Sequence, residues 1–565
     1  MQSKYKNWIL NSTAICRRVS TGPIAACLIS GAAALLVVAP HPAHAVSLYD
    51  GSTSGNNLEI DLSTTISYTP IFRVGNASAV LTSPTGNANG SEGDLDFQHG
   101  LVSSDFEILP ILDIKDGDYG AHFSGEAYLN TSFLGTNQNN QPGTINPFSI
   151  AKNTDFTSAT RNVDGENARL LDAFVYGVQR FGAGDQQSFT LKVGRQTLLW
   201  GQSLFLTNNG IAAGMAPLDI ITANNNPNAQ TQQVIEPVGQ VVATYQPNEV
   251  LTIQGFYQFE WEHDYFQGVG SYFSSSDVLD KGGQRLIAAP DAYFFRAKDL
   301  DPPTENGQFG LSAQLTLGNY DVGFYGLRYD SKAPTLYLKP GAIAFTPNGV
   351  SLGTYNLLYP RDIWIEGTAL STTVGPVNVA GEISFRQHMN LVTGANLSLP
   401  TNPGNASSDP LYPTGDTYAA QASAVYVSPG IPLDPGGVTV DGEVGMNHVL
   451  EVTANKGALT ASPHRSPTAA QFQAVVTPTY NDVLPNLQLE FPVGMSYDFY
   501  GRSEVDSTEN NGTGAVNFGI TATYKFTWIA SLTYNDEIGA PNPALQGEPA
   551  IADRSYVLLN LQHSF

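Results

Sequence analysis

Hydrolytic chemistry at a membrane needs a nucleophilic serine, a histidine to take its proton and a polar group to orient that histidine. The chain carries one G-x-S-x-G match, Gly349-Val350-Ser351-Leu352-Gly353. That motif has meaning at a strand-to-helix elbow, whereas here it falls in a predicted long loop of a chain with 55 glycines, where a chance match is expected. His122, His388, His448 and His563 fall in predicted strands, none beside a nucleophile motif. The histidines show no metal-ligand spacing, and both cysteines, Cys16 and Cys27, precede residue 46. The acidic run Glu92-Gly93-Asp94-Leu95-Asp96 lacks the ligand set of a complete calcium loop and is expected to be solvated. The expectation is therefore no catalytic site, no cofactor and no metal. A lipolytic enzyme using Ser351 or a strand histidine stays as the outlying alternative.

With catalysis set aside, the chemistry left is that of surfaces. Lys4, Lys6, Arg17 and Arg18, an apolar run from Ile24 to Ala39 and then Ala43-His44-Ala45 make residues 1–45 a secretory signal peptide, with cleavage near Ala45. The apolar run spans about 16 residues, short of the roughly 20 that a helix needs to cross a bilayer. Removing the four leader cations from the 26 basic residues leaves 22 against 50 acidic ones, a net charge of −28. That balance excludes nucleic acid, which needs cationic patches. Charged residues are nevertheless only 13% of the chain, while Tyr, Phe and Gly number 26, 27 and 55. A large antiparallel sheet with one face against lipid has that composition. No later segment approaches 20 apolar residues, so a closed barrel is the remaining way to cross a membrane.

The elements carry the same message. In Pro376 to Arg386, Val377, Val379, Ile383 and Phe385 share one face, opposite Asn378, Glu382, Ser384 and Arg386. Leu251 to Trp261 splits likewise, with Tyr257, Phe259 and Trp261 opposite Gln254, Gln258 and Glu260. Strands read this way start near residues 59, 106, 119, 168, 186, 236, 249, 307, 320, 361, 377, 417, 438, 469, 486, 514, 527 and 554. Their connections alternate short and long: turns such as Lys115–Asp118 and Gly318-Asn319 against the stretches 69–105, 131–167, 197–233, 262–306 and 331–360. Outer-membrane barrels sort their loops in this way, and a soluble sandwich has no reason to. The predicted fold is all-β, a single closed transmembrane antiparallel β-barrel over residues 46–565. It has about 18 strands, 16 being the other even count allowed, with long extracellular loops and short periplasmic turns. The final segment ends on Phe565 and resembles the last strand of bacterial outer-membrane barrels, where the terminal aromatic is the insertion signal for the barrel-assembly machinery. Outer-membrane lipid and lipopolysaccharide are then the surroundings expected of the mature chain.

Five segments resemble the outer-membrane family labelled domain of unknown function thirteen-oh-two. They are Gly93–Phe97, Ala168–Gly177, Val193–Gly201, Gly255–Trp261 and Gly307–Gly310. The resemblance implies a large barrel of Gram-negative bacteria tied to the uptake or handling of apolar compounds, working with a periplasmic partner protein, and it supplies no catalytic residues. Departures lie in the Asn/Gly-rich loop before Glu92 and the loops after Asn390.

The loop 197–233 is too apolar for water and too broken by Gly and Pro to be one strand. It is expected to fold inward, with Leu198, Leu199, Trp200, Phe205, Ile211, Met215 and Leu218 as a constriction favouring apolar or aromatic solutes. Plugging the lumen, or continuing a strand, are the alternatives. Inward positions are expected to include Glu107, Asp113, Glu126, Asp172, Glu260, Glu366, Glu382, Asp441, Glu443 and Glu490, against Lys192, Arg328 and Arg386, which disfavours anions. Arg195 is expected outside, snorkelling to the lipid headgroups. The function expected is a porin-like channel for small apolar solutes, or else a non-transporting envelope protein acting with its periplasmic partner.

Overall fold

The computed structural model describes residues 46–51, 56–141, 143–279, 281–300, 307–428, 436–459 and 464–565, so the predicted signal peptide lies outside them. Eighteen antiparallel strands close into one barrel. In chain order they are β1 Leu58–Arg73, β2 Gly100–Asp116, β3 Tyr119–Asn130, β4 Glu166–Phe181, β5 Gln187–Gln196, β6 Val238–Gln246, β7 Leu251–Gln258, β8 Gln308–Leu317 and β9 Tyr320–Tyr329. Then come β10 Ile363–Val374, β11 Val377–Asn390, β12 Thr414–Val427, β13 Val438–Ala454, β14 Thr468–Leu484, β15 Leu487–Glu490 with Val493–Tyr500, β16 Thr513–Tyr524, β17 Trp528–Ile538 and β18 Tyr556–Ser564. Each pairs with its chain neighbour, and β18 returns to β1, with Thr65 facing Ser564 and Arg73 facing Tyr556. Phe565 completes that seam: its N–H donates to Thr64 O at 3.0 Å and its carbonyl accepts from Thr64 N–H at 2.8 Å.

Period-2 chemistry forms the wall. On β11, Ile383 and Phe385 are exposed outside while Glu382, Ser384 and Arg386 are buried inside. Tight turns such as Gly117-Asp118 and Gly318-Asn319 join strands at one end, where Gly318 takes the left-handed φ of 66° that such a turn demands. At the other end the connections are long. The first five are L1 (74–99), L2 (131–165), L3 (197–237), L4 (259–307) and L5 (330–362). Hairpins 285–296 of L4 and 335–358 of L5 join through a parallel pairing of Ala292–Arg296 with Gly349–Leu358, and Asn396–Leu397 adds the outer edge of a five-stranded cap. Gly349–Gly353 lies in this cap as a strand, so Ser351 sits at no strand-to-helix elbow.

Five expected placements are corrected. Arg328 pairs in register with the exposed Phe309 and Trp364, and Glu366 with the exposed Phe385, so both point away from the lumen. Here Tyr325, Leu327, Tyr329, Ile363 and Ile365 are buried on the inner side. Both faces of β9 and β10 are apolar enough for lipid, and periodicity alone does not choose between them. Glu260 lies beyond the end of β7 at the rim, bonded to Arg195 at 2.6 Å. Arg195 shares the outer face with Val193, but it ends on Glu260 and, at 3.7 Å, on Glu236 rather than among headgroups. Trp261 is buried under the loops, edge-on to Tyr359 at 4.9 Å between ring centres.

The acidic run of L1 is also not solvated. Glu92–Asp96 is a short buried helix, and Asp94 lies between two fully buried guanidiniums, Arg73 at 3.1 Å and Arg554 at 3.2 Å. Arg73 ends β1 and Arg554 precedes β18, so Asp94 locks the outer end of the closing seam. Removing one member of a buried ion pair leaves uncompensated charge, worth about 3–5 kcal/mol. Asp94→Asn is therefore expected to lower the thermal unfolding midpoint of the barrel by several degrees, measured by loss of the compact species on unheated gels, whereas Asp185→Asn in the β4–β5 turn leaves it unchanged.

Candidate functional site

L3 folds into the barrel. Its backbone is broken into short turns, Thr207–Asn209, Ile211–Gly214, Ile220–Asn225 and Thr231–Val234, because Gly201, Gly210, Gly214 and Pro217 interrupt any longer helix. Gly201 stands at a φ of 98°, and a Cβ on Gly214 would lie 2.8 Å from both Leu327 and Tyr329, so both positions need glycine.

The first half of the loop is apolar. Trp200, Ile211 and Met215 pack with Phe256, Tyr325, Leu327, Tyr329, Ile363 and Ile365 from the inner wall of β7, β9 and β10, and Leu198 and Leu199 lean on this cluster. Full burial of such a side chain is worth roughly 1.5–3 kcal/mol. Trp200 donates its indole N–H to Gln254 at 2.7 Å, and its backbone N–H meets Met215 Sδ at 3.0 Å. Phe205 is fully buried in a second cluster with Leu204, Leu206, Val425 and Val475. Leu218 belongs to neither. Its N–H donates to Asp264 of L4 at 2.9 Å.

Wall carboxylates hold this half by its backbone. Glu443 accepts N–H bonds from Leu204, Phe205 and Leu206 at 3.1, 2.5 and 2.7 Å. Glu382 accepts from Gln202 at 2.6 Å and Ile211 at 2.9 Å, while Arg386 donates to the carbonyls of Asn208 and Gly210, each at 2.9 Å. Charge-assisted bonds of this kind are roughly twice as strong as neutral ones.

The second half is polar. Arg169 of β4 pairs with Glu126 at 3.1 Å, with Glu236 at 2.5 Å and with Asp219, tying the wall to both ends of this segment. Gln233 donates to Glu126 at 2.9 Å and Asn226 to Glu107 at 2.9 Å. Asn228 reaches across to Asn560 of β18 at 2.6 Å. L3 thus touches the wall from β2 round to β18. The inward acids Glu107, Glu126, Glu382 and Glu443 are occupied by the loop and do not form a free cationic path.

The remaining inward residues lie apart. Lys192 sits over the Phe174 ring at 5.2 Å, near His122, which bonds Asp113 at 2.6 Å. Ser124 donates to Asp172 at 3.3 Å and not to His122. Asp441 is buried with one oxygen that has no partner among the described residues. His448 bonds Thr468 at 2.6 Å and His563 lies against Thr527 O at 3.2 Å. Among the described residues no three His, Cys, Asp or Glu side chains gather as a metal site.

L4 and L5 cover the loop from outside. Lys332 of L5 is buried, with its ammonium donating to Gln308 at 2.6 Å, Asp330 O at 3.0 Å and Gly214 O at 3.4 Å. Burial lowers this ammonium to about 8, against the pull of Asp330 and Asp264. Arg169, Glu236 and Lys332 escaped the sequence reading. Arg169 does stand in a segment that carried the family resemblance, but its partners are set by folding alone.

An eighteen-stranded antiparallel barrel with tight turns at one end, long loops at the other and a loop folded into its lumen resembles porins in fold. The chain belongs to the family described as a protein of unknown function, DUF1302, whose profile matches residues 26–565. No curated protein matches it in sequence. Among solved structures it is similar to OccAB1 of Acinetobacter baumannii, at 11% identity and a TM-score of 0.42 over 93% of this chain and 99% of that one. A BenF-like porin of Pseudomonas fluorescens Pf-5 gives 11% identity and 0.41 over 90% and 98%. OccD3 (OpdP) of Pseudomonas aeruginosa gives 11% identity and 0.39 over 96% and 98%.

Two outcomes follow from this geometry. Arg169→Met leaves Glu126, Asp219 and Glu236 buried without their shared cation, and is expected to cost about 3–5 kcal/mol of loop anchoring, seen as faster proteolysis within 197–237 and a lower unfolding midpoint. For Lys332, the unfolded chain keeps its proton up to about 10.5 while the folded protein releases it from about 8. The unfolded state binds more protons in that window, so stability rises with pH across it. The melting midpoint of the wild type is expected to gain from this group between those values, and Lys332→Met to lose that part of the slope.

Proposed function

We propose that this protein passes small apolar or aromatic solutes passively across the outer membrane, with L3 as the constriction through which they move. The observation that carries the reading is the apolar inner wall. Tyr325, Leu327, Tyr329, Ile363 and Ile365 face the lumen where a general porin needs water, and they are covered by Trp200, Ile211 and Met215 of a loop that contains three glycines between positions 201 and 214. An apolar solute can replace those side chains, whereas a hydrated ion gains nothing there. Export with cleavage near Ala45, insertion signalled by Phe565 and a periplasmic partner that takes the solute complete the proposal.

The loop's hydrogen bonds to both sides of the wall favour a second reading, a closed envelope scaffold that transports nothing. Entry of N-phenylnaphthylamine into intact cells separates the two. Cells making the protein are expected to take up this probe several-fold faster than deletion cells, and single-channel ion conductance of the purified wild type should stay low. Replacing Glu382 and Glu443 by Gln should loosen L3 and raise that conductance several-fold. Equal probe uptake with and without the protein would leave only the scaffold.

A further inference from the structure

The turn Ile211–Met215 has the chemistry of a bound molecule. Its side chains fill an apolar chamber: a Cβ on Gly367 would stand 2.8 Å from Ile211, and Met215 is buried in the same cluster. Its two last carbonyls, Gly214 O and Met215 O, meet donors that the wall and L5 present from one side. The orientation of those donors follows from their neighbours. The Asp330 N–H and the Lys332 ammonium can only donate, and both bond Gln308 Oε1, at 3.0 and 2.6 Å. Gln308 must therefore offer its Nε2 to Gln258 Oε1, at 2.9 Å, which leaves Gln258 Nε2 to donate to Met215 O at 2.7 Å. Lys332 completes the pair on Gly214 O at 3.4 Å.

The head of this chamber is thus a donor-only site, one amide N–H beside one ammonium. No carboxylate of the described residues lies within 4.0 Å of the Lys332 ammonium, although that side chain is buried. Asp330 and Asp264 attract this cation from beyond that distance while its hydrogen bonds all go to neutral oxygens, and an anionic oxygen pair in place of the two carbonyls would make those bonds stronger. An ammonium head would meet repulsion, and a hydroxyl would offer one neutral oxygen in place of two that share a negative charge.

We propose that the turn Ile211–Met215 is an internal stand-in for the solute, and that the solute is an apolar molecule ending in a carboxylate, held by Gln258 and Lys332 when the turn withdraws. This rests on the reading of L3 as the constriction. It reverses the preference for cations or neutral solutes that the count of inward acids suggested, because Glu107, Glu126, Glu382 and Glu443 are bonded to the loop. The turn has few tethers of its own, the Ile211 N–H on Glu382 and the Gly210 carbonyl on Arg386, and a solute that fills the chamber competes with these.

The test uses the purified full-length protein in vesicles with lipopolysaccharide in the outer leaflet, and three probes with one phenylbutyl body: 4-phenylbutyrate, 4-phenylbutanol and 4-phenylbutylammonium. Rates are corrected for protein-free vesicles. Carboxylate uptake is expected to exceed ammonium uptake at least tenfold. Lys332→Met should cut the carboxylate-to-alcohol ratio about tenfold, and Lys332→Arg should retain it. An Ile211→Cys/Gly367→Cys pair, in a mature chain free of other cysteines, brings the Cβ atoms into disulfide range and holds the turn in the chamber. Oxidation should stop all three probes and reduction restore them. If oxidation leaves uptake unchanged, L3 is not the constriction and the underlying reading fails. If oxidation closes the barrel but the wild type ranks the heads equally, or Lys332→Met leaves the ratio unmoved, the carboxylate assignment alone is overturned.

Discussion

An irregular loop inside a barrel brings its backbone amides to a place with little water, and each must find an acceptor. This constraint organises the interior. Gly and Pro break the loop into turns too short for a continuous helix, so only part of the L3 amides pair within the loop, as Gly210 N–H does with Thr207 O at 3.0 Å, and others find no acceptor there. The wall supplies the acceptors instead. Glu382 and Glu443 take five of these N–H groups between them, and a carboxylate is the side chain best suited to accept several donors at once. The inner face of β11 and β13 is acidic because the loop needs it to be, and the same bonds leave those acids unavailable to a passing ion. The polar half of the loop meets the constraint with ions and amides around Arg169.

The architecture was largely legible in the sequence, for a geometric reason. A two-residue turn forces neighbouring strands into a hairpin, so turn chemistry at alternate connections reveals both strand count and the side on which the loops lie. Faces were legible where one side of a strand is plainly polar, as on β11. They were not legible on β9 and β10, where Phe324 and Trp364 outside are matched by Tyr325 and Ile365 inside, and a lone charge such as Arg328 or Glu366 misleads. Those two residues can stand outside because both lie near the outer rim of the wall, where Arg328 pairs with Asp362. The apolar loop was visible as a candidate lumen element. Its anchors were not, since Ile211 and Glu382 lie 171 residues apart and Leu204 and Glu443 lie 239 apart. No local pattern links such partners.

L3 is asymmetric in how it is held. The segment after Pro217 is fixed by a network in which Arg169 shares its charge among three carboxylates, and removing any part leaves buried charge behind. The segment before it is held by packing, by neutral N–H groups on carboxylates and by two carbonyls on Arg386, with no ion pair to the wall among its described residues. Losing those contacts exposes apolar surface and frees Glu382 and Glu443, which water or another donor can satisfy. If one half is to yield while the barrel stays intact, it is the apolar half. The polar half then acts as the fixed post from which Trp200 to Met215 moves.

Net charge is a poor guide to what such a chamber accepts. The chain carries 50 acidic residues against 26 basic ones, and their field repels anions at a distance. At physiological salt that field decays over about 8 Å, so acids on exposed loops have little hold on a molecule already inside the mouth. Within the chamber the balance inverts. Glu107, Glu126, Glu382 and Glu443 are bonded to the loop, Asp264 is committed to the Leu218 N–H, and the ammonium of Lys332 gives its hydrogen bonds only to neutral oxygens. A unit charge in a buried site interacts several times more strongly than the same charge at the surface, since the effective dielectric falls from about 80 towards about 20. One buried lysine can therefore set the preference for the head of a solute while the surface sets only how often solutes arrive. The apolar body supplies the affinity that offsets that unfavourable field.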